Sequence, residues 1–237
     1  MNENIIETYD LSKRFKSKKA LDNISLNIKR GAVTGLFGEN GAGKTTLMKL
    51  VTNQLKPDNG QIVINDKPLV FNSEVNSSIG CLLEKPSLYP YLTASQHLSL
   101  FNLLNSENQD HFINELIEEY GLSDFKDTKA KGYSLGMKQR LGLAMAELLG
   151  SEILILDEPF NGLDPVSVNK FRDRILHLKS KGITILISSH LIRELEDLID
   201  NLVIISKGKL ISSISLKDFM KDKQNSLEKE ILKIMEV

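Results

Sequence analysis

Short apolar runs bounded by turn-forming or polar residues dominate both ends of the chain: residues 33–37, 61–64, 153–156, 183–187 and 202–205. Each is too short for a stable helix and apolar at consecutive positions, which predicts strands buried on both faces of an α/β sheet. Lys207-Gly208 separates the runs 202–206 and 209–214 and predicts a hairpin turn. From Thr93 to Leu149 the signals are helical. Thr93 and Gln96 form a capping box ahead of Leu100, Phe101 and Leu104. Asp110 is placed to cap a helix whose apolar stripe is Ile113, Leu116, Ile117 and Tyr120, and Gly121 to end it. A third helix runs from about Met137 to Leu149. The pattern is an α/β core interrupted by a helical insert. In the tail, Leu227, Ile231, Ile234 and Met235 share one helix face. That stripe packs on its own domain or, on the other reading, binds a partner.

Composition narrows the classes. The chain has 237 residues, 41% hydrophobic and 26% charged, which excludes a disordered tail protein and suffices for a sizeable core. Thirty Lys and Arg against 31 Asp and Glu leave a net charge of -1, so no bulk basic excess calls for nucleic acid. The single cysteine, Cys81, has no internal partner and reads as a buried, unreactive thiol in a reducing compartment. No apolar run approaches the ~20 residues needed to span a bilayer. The first ten residues lack a signal-peptide hydrophobic stretch. The expectation is a soluble cytoplasmic chain, free to dock on a membrane protein.

The strongest chemical signal is Gly38-Glu39-Asn40-Gly41-Ala42-Gly43-Lys44-Thr45, a full match to G-x-x-x-x-G-K-[ST] between a strand and a helix with Leu47, Leu50 and Val51 on one face. Glycines let successive N–H groups point at one anion, and the helix start adds partial positive charge. Lys44 is suited to the outer phosphates and the Thr45 hydroxyl to Mg²⁺. Further on, the apolar strand 153–156 ends in Asp157-Glu158. Adjacent carboxylates at a strand end are costly without a cation. This predicts Asp157 on Mg²⁺, directly or through water, and Glu158 facing the attacking water as general base. Ser188-Ser189-His190 follows the strand 183–187. His190 there either contacts the γ-phosphate or attacking water or is structural. His97, His111 and His177 lie within helical segments and receive no role.

Tyr133-Ser134-Leu135-Gly136-Met137-Lys138-Gln139-Arg140, just before the strand-end carboxylates, resembles the signature motif of ABC-transporter ATPases, usually written LSGGQ. With the phosphate loop, Asp157-Glu158, Asn161-Gly162-Leu163-Asp164 and His190 in this order, the resemblance runs from about residue 4 to residue 214. It implies an α/β P-loop NTPase core of ABC type, with an antiparallel β subdomain and an inserted α-helical subdomain. The core then covers about 4–83 and 151–214, the helical subdomain about 84–150, and a helical tail 215–237. It implies ATP and Mg²⁺ as ligands, with Thr46 joining the phosphate loop. It also implies a head-to-tail sandwich in which the signature of one subunit closes on the γ-phosphate held by another. Ser134 as helix cap and the Ser134, Leu135 and Gly136 amides suit an anion. Leu135 departs from the first glycine of the usual pair, so its side chain must point away from nucleotide. Asn161 to Asp164 resembles the D-loop, and Asp164 also reads as an N-cap before Pro165. Phe15 stands where the family places an aromatic that stacks on adenine; a core Phe is the other reading, and Tyr9 a substitute.

Where the family usually has Gln at the join of core and insert, this chain has Glu84, followed by Lys85-Pro86-Ser87-Leu88-Tyr89-Pro90. That variant resembles ATPases of bacterial self-protection exporters, which expel lantibiotics or bacitracin-like peptides. Glu84 is then an Mg²⁺ ligand at the start of a segment that touches the permease. The resemblance implies an ATPase subunit driving separate membrane permease subunits, paired with a second copy or a homologous ATPase at the inner face of the membrane. A general drug or lipid exporter of related type shares these features. The other alternative is an ABC ATPase without transport, though such proteins often carry two cassettes, long coiled-coil inserts or charged arms, and none is read in this sequence.

Overall fold

The structure, a computed structural model, describes residues 2–72, 78–103, 110–150, 152–190, 192–221 and 225–235. In chain order the strands are β1 (Asn4–Phe15), β2 (Lys18–Lys29), β3 (Val33–Phe37), β4 (Asn59–Ile64), β5 (Lys67–Pro68), β6 (Ile79–Leu82), β7 (Ile153–Leu156), β8 (Thr184–Ser188), β9 (Asn201–Ser206) and β10 (Lys209–Ser215). The helices are α1 (Lys44–Val51), α2 (Ala94–Asn102), α3 (Asp110–Glu119), α4 (Leu135–Leu149), α5 (Pro165–Ser180), α6 (Leu216–Met220) and α7 (Leu227–Met235). The chain divides into one unit of residues 1–75 and 184–237 and another of residues 76–183.

In the first unit, an antiparallel sheet has the order β2-β1-β4-β5. Its long strands alternate: in β2, Ile24, Leu26 and Ile28 are buried while Asn23, Ser25, Asn27 and Lys29 are exposed, as a sheet with one wet face requires. β3 lies between β8 and β9 and is parallel to both; β10 folds back antiparallel on β9. All residues of β3 and β8 are buried, so continuous apolar character is the visible mark of these strands. The hairpin expected at Lys207-Gly208 is present, with Lys207 at φ +48 and Gly208 at φ +79. In the tail, Leu227 and Ile231 are buried and α7 packs on the 3-10 turn Ile192–Glu194 of its own unit. The side chain of Met235 lies outside the described residues.

In the second unit, β6 and β7 pair in parallel, and α4 packs on β6, α2 and α3. The capping box at Thr93 is complete: its side chain accepts from Gln96 N, and Gln96 reciprocates to Thr93 N. Gly121 ends α3 at φ +58; the cap expected of Asp110 and the position of Leu104 lie outside the described residues. Cys81 corrects the expectation of a buried thiol. It is only half-buried, because β6 alternates, turning Gly80 and Leu82 inward and leaving Ile79 and Cys81 partly open.

Three helices of this unit are joined by buried charge. Tyr120 donates to Glu147 Oε2 at 2.8 Å, Arg174 Nε donates to the same oxygen at 3.0 Å, and Arg174 Nη2 reaches Glu115 at 3.1 Å. Burial weighs against the Arg174 charge, but the hydrogen-bonded Glu147 outweighs it and holds the guanidinium above its ordinary range. Burial first, and the Glu147 charge second, push the Tyr120 hydroxyl well above the usual phenol range. Removing the cation strands a buried carboxylate, which costs about 3–5 kcal/mol. Arg174→Ala is therefore expected to lower the urea midpoint sharply, whereas Arg174→Met combined with Glu147→Leu recovers much of the loss. Equal losses in both variants would contradict this account of the cluster.

Candidate nucleotide site

The first unit builds a phosphate cradle. β3 delivers the chain to Gly38, and the strand register sets Leu36 opposite Ser188. The loop after β3 and His190, two residues past β8, thus leave the same edge of the sheet. Gly43 adopts φ +118 as the N-cap of α1, and a Cβ there would lie 2.7 Å from the Ala20 carbonyl oxygen. A Cβ on Gly38 would lie 2.3 Å from the Ile205 carbonyl oxygen. The β9–β10 hairpin props the loop from behind, with Gly208 N donating to Ala42 O at 2.9 Å. Lys44 is 6% exposed and curls back over the loop, donating to Gly38 O at 2.7 Å and Glu39 O at 3.3 Å. An ammonium has three donors, so this lysine is held over the cradle while keeping a proton for an anion. No side chain caps α1, and its first turn carries no acid. These features fit a polyphosphate. Glu39, Asn40 and Gly41 are exposed, Ala42 is buried, and Thr45 and Thr46 are half-buried.

Phe15 is 46% exposed at the end of β1, with the Lys13 ammonium 5.8 Å from its ring centroid. It is therefore not a core residue, and Tyr9 is also exposed. Sequence reasoning missed Lys18, whose Nζ lies 3.6 Å from where a Gly41 Cβ would stand. The signal was the basic run around Phe15. His190 is exposed.

The second unit gathers the acidic residues at one strand edge. Leu82 pairs with Leu156, and Asp157 N donates to Leu82 O at 2.8 Å. Glu84 and Asp157-Glu158 consequently leave neighbouring strands at the same level. Asp157 is buried, Glu158 half-buried and Glu84 exposed. Glu158 and Glu84 adopt φ +49 and φ +63, a region that non-glycine residues occupy only when the surroundings impose it. Carboxylate oxygens such as those of Glu84 and Asp157 are of the hard type that Mg²⁺ prefers. His97, given no role from sequence, is a buried clamp: its Nδ1 lies 2.7 Å from Thr93 O, and Tyr89 N donates to its Nε2 at 2.9 Å. It thereby fixes the segment that follows Glu84.

Ser134 caps α4, its hydroxyl accepting from Met137 N at 3.2 Å. Tyr133 anchors the approach: its hydroxyl accepts from Ala94 N at 3.1 Å and donates to Thr128 O at 2.8 Å. Leu135 is 49% exposed, and its side chain lies against Gly162. Asp164 caps α5 through Ser167 N at 2.9 Å with Pro165 in the first turn, and the Ser167 hydroxyl hydrogen bond lowers its pKa. Gln139, inside the quoted motif but given no role, is buried and donates to Pro159 O at 3.0 Å. Its spacing with Leu143 and Glu147 along one face of a buried helix was the available signal.

The ABC transporter family profile matches residues 21–161, more than half of the chain. The bacitracin transport ATP-binding protein BcrA of Bacillus licheniformis is 40% identical over 227 residues, covering 94% of this chain and 74% of the relative. The lantibiotic transport ATP-binding protein SrtF of Streptococcus pyogenes is 35% identical over 207 residues, covering 87% and 89%. A solved ATP-binding subunit of an ABC transporter superposes with a TM-score of 0.89 at 29% identity, over 97% of this chain and 99% of that one. Among the described residues, no helix is long and apolar enough to cross a membrane. With the phosphate cradle and the strand-end carboxylates in place, the chain belongs to the ABC transporter family as an ATP-binding, ATP-hydrolysing subunit of the subgroup that includes bacitracin and lantibiotic transport proteins.

Proposed function

We propose that this subunit energises an exporter that removes lantibiotics or related antimicrobial peptides from the cell membrane, and so protects the cell that carries it. The observation that supports this reading is 40% identity to a bacitracin transport subunit along 94% of the chain. On this reading two copies, or one copy and a homologous ATPase, form a nucleotide sandwich. They work at the inner face of the membrane on separate permease subunits, without nucleic acid. The core comprises about 4–83 and 151–214, with the helical subdomain about 84–150. Phe15 stacks on the base; Gly38, Glu39, Asn40, Gly41, Ala42, Gly43, Lys44, Thr45 and Thr46 hold the phosphates. Thr45, Asp157 and Glu84 serve Mg²⁺, which neutralises phosphate charge when bound. Glu158 takes the proton of the attacking water, and His190 meets the γ-phosphate. Ser134, Leu135 and Gly136 offer their amides to a partner's nucleotide.

The test is expression of the subunit with its permease in a susceptible bacterium. Tolerance to bacitracin or a lantibiotic should rise, and the Lys44→Ala variant should abolish the gain. Unchanged peptide tolerance alongside protection from an unrelated drug would replace this reading with a general exporter.

Glu84 tunes the coupling of nucleotide state to transport. A Gln offers both a donor and an acceptor, a Glu only acceptors and a charge. Glu84→Gln should keep ATP binding and much of the basal hydrolysis but change the permease-stimulated rate. Glu84→Ala should lose more of the stimulation. Stimulated rates equal to wild type in both variants would make the Glu incidental.

A further inference from the structure

The start of α4 is fastened to the segment that carries Glu158 at two points within one unit. At the first, Gln139, only 4% exposed, donates from Nε2 to the Pro159 carbonyl at 3.0 Å. At the second, α4 meets the D-loop backbone. A Cβ on Gly136 would stand 2.8 Å from the Gly162 carbonyl oxygen, and a Cβ on Gly162 would stand 2.8 Å from Leu135 Cδ2. Gly162 has φ +80 and no side chain, so the Leu135 side chain is seated in the space that a larger residue would fill. Glu158 lies immediately before Pro159, in the left-handed backbone region at φ +49. Such a conformation persists only when its surroundings over-determine it. The proline ring fixes φ at the next residue, and Gln139 fixes the orientation of the following carbonyl. Together they set the direction in which the Glu158 side chain leaves the turn.

We propose that Gln139 is a positioning residue for Glu158, acting through the Pro159 carbonyl, and that Leu135 seated on Gly162 completes the link. The departure from the usual glycine at position 135 thereby gains a purpose: it ties the signature motif to the D-loop of the same chain. The half-site that a chain offers its neighbour is joined to the carboxylate it keeps for its own nucleotide. The proposal rests on the reading of Glu158 as general base.

Four proteins test it: wild type, Gln139→Met, Glu158→Gln and the double variant. ATP affinity is measured by calorimetry with Mg²⁺, turnover by phosphate release, and folding by thermal midpoint. Methionine keeps the length but cannot donate, so the Pro159 carbonyl loses its partner. Gln139→Met should bind ATP within about two-fold of wild type. Its kcat should fall roughly 5- to 50-fold, less than the ~10²–10⁴-fold of removing a general base, because the base is displaced but still present. In the Glu158→Gln background the same change should cost less than about two-fold, since no base remains to be misplaced. A second arm, independent of Gln139, is Gly162→Ala, which drives a methyl group into Leu135 in addition to straining the backbone at φ +80. It should lower kcat, and Leu135→Gly should restore part of the loss. This arm decides the matter if Gln139→Met does not fold. Wild-type kcat in Gln139→Met, the same fold-loss with and without Glu158, or no restoration by Leu135→Gly would overturn the proposal. Wild-type turnover in Glu158→Gln would instead overturn the general-base reading beneath it.

Discussion

Lys44→Ala is expected to leave a folded protein that neither binds ATP tightly nor turns it over. The lysine is buried and its ammonium bonds to the carbonyls of Gly38 and Glu39, so it shapes the loop as well as charging it. Alanine removes the Lys44 ammonium curled over the cradle and both of its tethers. Hydrogen bonds to charged groups contribute roughly 1.5–3 kcal/mol each, and losing one or two of them on the phosphates weakens ATP binding by on the order of 10²-fold or more. The fold itself should survive, because the hydrophobic residues of α1, Leu47, Met48, Leu50 and Val51, are untouched. A thermal midpoint within a few degrees of wild type, together with a flat calorimetric titration, is the expected pair of results. Lys44→Arg should fail almost as badly, since a planar fork cannot occupy the curled position of a compact ammonium. Wild-type affinity with wild-type turnover in Lys44→Ala would remove the phosphate assignment.

What the sequence showed and what it hid follow from how each feature is encoded. β3, β7 and β8 are buried on both faces, so their consecutive apolar residues stand out in a single sequence. β1 and β2 were not marked out. They alternate with polar residues, and the register of their pairing shifts at several points, with Asp10 at φ +47 within β1. Those irregularities break the period of two on which the reading depends. The capping box at Thr93, the Ser134 cap and the Asp164-Pro165 start are local in sequence and were legible for that reason. The cluster of Arg174, Glu147 and Tyr120 was not, because its members come from three separate helices and Tyr120 read simply as part of an apolar stripe. The phosphate loop was visible because its chemistry is carried by backbone amides and a few obligatory residue types. The seat of Leu135 on Gly162 shows in the sequence only as a departure from the usual glycine, because the contact joins residues far apart along the chain.

The remaining large effect belongs to Glu158→Gln, which separates binding from chemistry. Glutamine keeps the size and shape of the side chain in a half-buried turn at φ +49, so the backbone strain already present is unchanged. What it loses is the ability to accept a proton from water. General-base catalysis contributes on the order of 10²–10⁴-fold, and the loss in kcat should fall in that range while ATP affinity stays near wild type. On the proposed reading of Glu158 as the base facing the γ-phosphate, removing its negative charge should favour the nucleotide-bound state. On the proposed sandwich, ATP that is bound and not cleaved should hold two chains together, the amides of Ser134, Leu135 and Gly136 of each being offered to the nucleotide of the other. Size-exclusion chromatography with Mg²⁺ and ATP should show a dimer for Glu158→Gln at concentrations where the wild type, which clears its nucleotide, elutes as a mixture or a monomer. A second substitution reports on the contact itself: Ser134→Arg in the Glu158→Gln background should abolish the ATP-dependent dimer without touching the P-loop affinity of the isolated chain. A monomer that hydrolyses ATP at the wild-type rate would contradict both the base and the sandwich. A monomer that hydrolyses slowly would keep the base and remove the sandwich. A dimer with wild-type turnover would do the reverse, and would move the search for the base to His190.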